Sequence, residues 1–256
     1  MGARGLGGLA LVDSLMQERT SNTAATAIVF DAARFEHITP DWFVPAYWEA
    51  RHALHYLSGG RGGVAVIASP AGECVLRHYH RGGLVARLLA DRYLWQGAAR
   101  TRSFAEFRLL QEIAKLGLPG PLPIAARHVR HGPWYTADLI TLRIPQARTL
   151  SEVLADGALD ATVAAQIGGV VARFHRAGVC HADLNAHNIL LNTEGAHLID
   201  FDRGRLRTPH AAWRQANLRR LQRSLLKLGA ASDGVPAFEV ATWQPLLAGY
   251  RQAWAA

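Results

Sequence analysis

Two short stretches bring Asp183, Asn188 and Asp200 close together in sequence: HADLNAHNILL from His181 and HLIDFD from His197. Residues 188–191 and 196–199 read as two short apolar strands around a turn at residues 192–195, and such a hairpin returns Asp200 beside Asn188. Magnesium takes hard oxygen ligands, commonly one or two from protein with waters and substrate phosphates completing the shell, and Asn188 and Asp200 are of that type. Asp183 is then free to act on an acceptor hydroxyl. Singly, each of the three is an ordinary turn or capping residue. Their order and spacing, with apolar strands between them, favour the catalytic reading.

The elements that must position these residues divide by type along the chain. Residues 1–50 carry little pattern beyond an aromatic cluster bounded by prolines (Pro40, Trp42, Phe43, Pro45, Tyr47, Trp48), expected to pack over a neighbouring sheet or surface. Residues 52–57, 63–69 and 74–79 then read as an antiparallel meander whose first turn, residues 58–63, is rich in glycine. At Gly60, Gly62 and Gly63 the missing side chains let backbone amides approach phosphate oxygens, although a tight hairpin needs glycine in any case. A helix is expected from Ser103, with Ser103 and Glu106 as a capping box and Phe107, Leu110, Ile113 and Ala114 at helical spacing, ended by Gly117 and Pro119. Trp134–Leu142 reads as a strand, Thr149 and Glu152 as a second capping box, and Val163, Ile167, Val170, Val171 and Phe174 as one side of a helix ending near Gly178. Helical spacing continues past residue 210. The order predicts a two-lobed α+β fold: an extension over residues 1–50, a β-rich lobe over 51–143 and a helical lobe over 144–256.

Composition narrows the class. The chain has 256 residues, 50% of them hydrophobic, which excludes disorder as the main state. No apolar run approaches the roughly 20 residues of a membrane-spanning helix, so a cytoplasmic location is expected. Cys74 and Cys180 offer no CxxC spacing, and the histidines, including His78, His80, His175, His181 and His187, complete no zinc set. Lysine and arginine number 28 against 20 acids, a net charge of +8, and only Lys115 and Lys227 are lysines. Guanidinium pairs with carboxylate or phosphate through two parallel hydrogen bonds, so the excess suits an anionic ligand or surface. Genomic base composition would produce it equally well.

The segment from His181 with Asp200-Phe201 is similar to the catalytic loop of the protein-kinase-like superfamily, H-x-D-x-x-x-x-N followed by an Asp-Phe-Gly-like site. That resemblance implies Asp183 as the base toward the attacking hydroxyl, His181 as an orienting residue, Asn188 and Asp200 as magnesium ligands, and ATP as phosphoryl donor. Asp202 stands where glycine is usual. The third-strand lysine of the superfamily, which holds phosphates and pairs with a helix glutamate, corresponds to Arg77, with Glu106 as candidate partner ahead of Glu112.

A narrower resemblance follows from VLRHYHRGGLVARLL at Val75, RSFAEFRLL at Arg102, CHADLNAHNILL and LIDFDRGR: these are similar to the Kdo kinase family, related to the heptose kinases of lipopolysaccharide assembly. The resemblance covers most of residues 50–210. It implies phosphorylation of the 4-hydroxyl of 3-deoxy-D-manno-octulosonic acid (Kdo) on a lipid A precursor. Such an acceptor is strongly anionic and lies at a bilayer surface. The run Arg203, Arg205, Arg207, Arg214, Arg219, Arg220, Arg223 and Lys227 holds no acid after Asp202, and Trp213, Leu218, Leu221 and Leu225 give it an apolar side. A plain helix with a buried apolar side and solvated arginines accounts for the same pattern. A second basic group runs from His78 and His80 through Arg81, Arg87, Arg92 and Arg100 to Arg102. The competing readings are a kinase for another small molecule, such as an aminoglycoside, and a catalytically silent kinase-like protein that binds anionic lipid. Nucleic acid is not expected, because no stacked aromatic and basic surface is legible.

Overall fold

The computed structural model describes residues 17–23, 25–57, 64–80 and 91–256. The glycine-rich turn that includes Gly60, Gly62 and Gly63 lies outside them, as do Arg81 and Arg87. The chain divides into two compact units. One comprises the described residues up to Lys115 together with Leu122–Arg143, and the other comprises Leu116–Pro121 with Ile144–Ala256.

The first unit is built on an antiparallel sheet. Its strands are β1 (Glu18–Asn22), β2 (Thr26–Asp31), β3 (Leu54–Leu57), β4 (Val64–Ser69), β5 (Gly72–His78), β6 (Tyr93–Leu94), β7 (Pro123–His131) and β8 (Trp134–Leu142). Among the described residues the order is β1-β2-β7-β8-β5-β4-β3, with β6 beside β8. The β3-β4-β5 meander stands as expected, and Trp134–Leu142 forms a strand with the expected bounds. The aromatic cluster does cover a sheet. Short helix α1 (Pro45–Glu49) and the 3₁₀ turn Pro40–Phe43 bury Phe43 and Trp48 against Ile28, Phe30, Ile67, Ile124 and Ile140. Trp42 stands edge-on to Trp48 at 5.1 Å, and Trp48 Nε1 donates to the Trp42 carbonyl at 2.7 Å. Cys74 is a buried core thiol.

Helix α2 (Arg102–Lys115) packs on β7 and β8 through Phe104, Phe107, Leu110 and Ile113. It begins one residue before the expected cap. Ser103 therefore sits inside the first turn, and its hydroxyl donates to the Arg127 carbonyl at 2.9 Å instead of capping. The Ser103–Glu106 box is not what starts this helix, and the Glu106 carboxylate is engaged elsewhere.

The second unit is mainly helical: α3 (Leu150–Ala155), α4 (Ala161–Arg176), α5 (Ala211–Lys227), α6 (Val235–Phe238) and α7 (Gln244–Ala255), the last two joined by a π turn at Glu239–Trp243. Thr149 and Glu152 form the expected capping box on α3. The main packing is α4 against α7. Their backbones meet at glycines: a Cβ on Gly168 would lie 1.9 Å from the Leu246 carbonyl oxygen, and one on Gly249 2.0 Å from that of Ala165. The small strands are β9 (Arg148–Thr149), β10 (Val179–Cys180), β11 (Ile189–Asn192), β12 (Gly195–Leu198) and β13 (Arg205–Leu206). They pair as β12-β11-β9 and β10-β13. The α+β expectation holds, with strands dominating the first unit and helices the second. Among the described residues no helix is long and apolar enough to cross a membrane.

Candidate active site

The loop from His181 to Asn188 runs between β10 and β11, and its backbone is held partly by its own side chains and partly by α5. His181 is buried. Its Nδ1 accepts the Asp183 backbone N–H at 3.0 Å, and its Nε2 lies 2.9 Å from the Ile199 carbonyl oxygen. Both partners are satisfied together only by the neutral ring protonated on Nε2. Burial also lowers the pKa of His181, with the Ile199 carbonyl and the charges of Asp200 and Asp183 opposing. The ring meets Phe201 at 4.9 Å, and Phe201, fully buried, stacks on Phe174 at 5.6 Å. The Asp-Phe pair is thereby anchored in the unit's core.

Asn188 donates from Nδ2 to the Asp183 carbonyl at 2.9 Å. That bond fixes the amide orientation and leaves Oδ1 as the outward acceptor, an atom that accepts no hydrogen bond among the described residues. The β11–β12 hairpin has the expected form, and Ile199 N–H donates to the Asn188 carbonyl at 3.0 Å, one step beyond the last ladder pair. Asp200 is the next residue. It adopts φ +60°, the left-handed region, which aspartate enters more readily than most side chains. An amide oxygen and a carboxylate on adjacent registers of a hairpin form a hard, oxygen-only donor set that fits a magnesium ion. No cluster of three or more His, Cys, Asp or Glu that could hold a metal occurs among the described residues.

The Asp183 carboxylate is about half exposed. Asn185 Nδ2 donates to its Oδ2 at 3.1 Å and Arg220 Nη1 to its Oδ1 at 2.6 Å. Arg220 belongs to α5, which grips the loop at two further points: Asn217 Nδ2 donates to the His181 carbonyl at 2.9 Å, and the Ser224 hydroxyl accepts the Ala186 N–H at 3.1 Å. Reading residue types in order had placed Arg220 only in a run of cations. The spacing 217, 220, 224, one face of a helix, was the available signal. The apolar side of α5 is core, since Trp213, Leu221 and Leu225 are buried, whereas Arg203, Arg205, Arg207, Arg219, Arg223 and Lys227 are exposed.

In the first unit Arg77 and Glu106 meet as the sequence suggested: Arg77 Nη2 lies 2.5 Å from Glu106 Oε2, with 30% and 2% of the side chains exposed. Tyr79, two residues on, joins them. Its hydroxyl donates to the same carboxylate oxygen and accepts from Arg77 Nη2 at 3.2 Å. Burial, followed by the Glu106 charge, holds that phenol well above its ordinary pKa, so it stays a donor. Glu112 instead pairs with Lys115 at 2.7 Å on the exposed side of α2. His78, from the second basic group, bridges two carboxylates, with Nδ1 2.7 Å from Asp138 and Nε2 3.2 Å from Asp91.

A β-rich unit followed by a helical unit that carries such a loop is the build of a kinase-like α+β protein. Residues 46–250 match the lipopolysaccharide kinase (Kdo/WaaP) family, and the chain belongs to that family. It is accordingly a kinase, an ATP-dependent phosphotransferase. A protein named 3-deoxy-D-manno-octulosonic acid kinase from Xanthomonas axonopodis pv. citri (strain 306) is 51% identical over 207 residues, covering 79% of this chain and 81% of its own. One of the same name from Stenotrophomonas maltophilia (strain R551-3) is 50% identical over 206 residues, with the same coverage. A solved structure titled WaaP in complex with acyl carrier protein aligns over 80% of this chain and 82% of its own, at 16% identity and a TM-score of 0.49.

Proposed function

We propose that this kinase transfers the γ-phosphoryl group of ATP to the 4-hydroxyl of Kdo on a lipid A precursor, at the cytoplasmic face of the inner membrane. The reading rests above all on Asp183, a half-exposed carboxylate on a loop whose backbone His181, Asn188 and Asn217 hold in place. The relatives that carry the Kdo kinase name supply the acceptor.

Asp183 accepts a hydrogen bond from the acceptor hydroxyl, aims its oxygen at the γ-phosphorus and takes the proton as the new P–O bond forms and the bond from the γ-phosphorus to the bridging oxygen breaks, ADP leaving. His181, buried and neutral, orients the loop and does not exchange protons with it. Arg77, braced by Glu106 and Tyr79, offers a fixed cation to the nucleotide's phosphates, where a guanidinium forks and an ammonium does not. Asn188 Oδ1 and the Asp200 carboxylate would hold magnesium, which would supply neutralisation of charge on the phosphates. The exposed cations of α5 and of the segment before it suit an anionic leaflet, where each contributes roughly 1 kcal/mol of attraction.

The test is mass spectrometry of a Kdo-bearing lipid A precursor after incubation with ATP, magnesium and the enzyme. One phosphate added to the Kdo residue is expected, with Asp183→Asn slower by roughly 10²- to 10⁴-fold. An unmodified precursor, or an Asp183→Asn variant as fast as wild type, would overturn the reading.

A further inference from the structure

The pairing of Arg220 with Asp183 calls for a reason beyond stability. An ion pair as exposed as this one contributes little to the fold. Yet its position is firmly set, because the same face of α5 carries Asn217 on the His181 carbonyl and Ser224 on the Ala186 N–H. The guanidinium has five N–H donors, and the bond to Asp183 Oδ1 is the one hydrogen bond it makes among the described residues. With 47% of its side chain exposed, it presents its remaining donors to solvent beside the carboxylate that is to receive the acceptor hydroxyl.

An acceptor that is itself an acid meets a difficulty there. Its carboxylate must come close to the negative charge of Asp183, and like charges at short range repel unless a cation stands between them. Arg220 is such a cation, and exposed Arg219 and Arg223 add positive charge to the same helix. Building on the function proposed above, we propose that Arg220 recognises the carboxylate of the acceptor sugar: it keeps one N–H on Asp183 and gives its free edge to the acid, so that binding the carboxylate turns the 4-hydroxyl, on the same face of the site, toward Asp183. A forked, planar guanidinium matches a carboxylate through two parallel hydrogen bonds. The site then selects sugar acids over neutral sugars, and it does so next to the reacting atom.

The experiment compares wild type, Arg220→Gln and Arg220→Lys on a Kdo-bearing acceptor and on its methyl ester, which removes the charge and leaves every hydroxyl. The quantity read is the ratio of kcat/KM for acid over ester. Wild type should favour the acid by roughly 10- to 100-fold, the range of a hydrogen-bonded charge. Arg220→Gln should bring the ratio close to one, mainly through a higher KM for the acid, and Arg220→Lys should fall between. A wild-type ratio near one, an Arg220→Gln ratio equal to wild type, or an equal loss of kcat on both acceptors would each overturn the assignment. Should Arg220→Gln not fold, the lysine variant decides: a ratio below wild type supports the proposal and an unchanged one overturns it. Absence of transfer by wild type to either acceptor would instead overturn the proposed function, a result distinct from transfer without discrimination.

Discussion

Asn217 joins the helical core to the loop from His181 to Asn188: its Nδ2 donates to the His181 carbonyl at 2.9 Å, while its Oδ1 lies 3.3 Å from His175 Nε2. The chain continues outward, since His175 Nδ1 lies 2.9 Å from the Tyr250 hydroxyl, which accepts from Arg214 at 3.3 Å. Donors and acceptors alternate consistently only if His175 is neutral and protonated on Nε2. Asn217→Ala leaves a buried carbonyl and a buried ring N–H without partners, at about 1–3 kcal/mol each. A loss of roughly 2–6 kcal/mol in urea unfolding is expected, with a fall in kcat as the loop loosens. A variant as stable and active as wild type would show that the loop does not depend on this bond.

The same network makes stability depend on pH. Burial pulls His175 down to about 4, and Arg214 and His181 act in the same direction against the Asn217 bond. The unfolded chain, titrating near 6.5, then binds more protons than the folded one between those values, so stability is full above about 6.5 and falls as pH drops toward 4. His175 accounts for about 3 kcal/mol at the low end of that window. Buried His128, also lowered to about 4, acts with the same sign. Urea midpoints measured at pH 7.5, 5.5 and 4.5 should decline steadily, and His175→Gln should flatten the decline. A wild-type midpoint constant across that range would refute the assignment.

Much of this was legible from residue type and spacing, and the failures share a cause. The β11–β12 hairpin and the Thr149 capping box were readable because local chemistry decided each, and the Arg77–Glu106 pair was readable through the resemblance to the protein-kinase-like superfamily. Ser103 misled because its cap signature is local, whereas Glu106 is claimed by Arg77 and Tyr79 from another strand. Strands β1 and β2 were not anticipated, since β1 is wholly exposed and unpatterned, and β2 is a continuous apolar run whose pairing with β7 spans about a hundred residues of chain. Arg220 was hidden for a similar reason: its partner lies 37 residues away, and one arginine among many carries no mark of the contact it makes.

Glu106 tests the first unit. Its carboxylate is buried against Arg77 and Tyr79, so Glu106→Gln keeps the shape and removes the charge. The loss should be about 2 kcal/mol, below the 3–5 of a fully buried pair, because Arg77 keeps some contact with water. An unbraced Arg77 should also raise the KM for ATP roughly tenfold while leaving the acceptor's nearly unchanged. An ATP titration giving the wild-type KM would remove the pair from nucleotide binding and leave it a structural contact.

Gly168 offers a prediction in which two physical effects oppose each other. In an isolated helix alanine is better than glycine by about 1 kcal/mol, because glycine loses more backbone freedom on folding. Here the added methyl of Gly168→Ala would sit 1.9 Å from the Leu246 carbonyl oxygen and 2.9 Å from the Tyr250 nitrogen, backbone atoms of α7 that no side-chain rotation can move aside. The α4–α7 pair must then separate. Tyr250, on α7, carries the hydroxyl that meets His175, so the disturbance reaches the network behind the His181–Asn188 loop. Overpacking should outweigh propensity, giving a net loss of about 1–3 kcal/mol. The matched control is Gly169→Ala, where the nearest atoms outside the helix stand 3.9 Å away and the substitution should be neutral or mildly stabilising. Thermal melts that rank Gly168→Ala at or above Gly169→Ala would show that the two helices do not meet as closely as described.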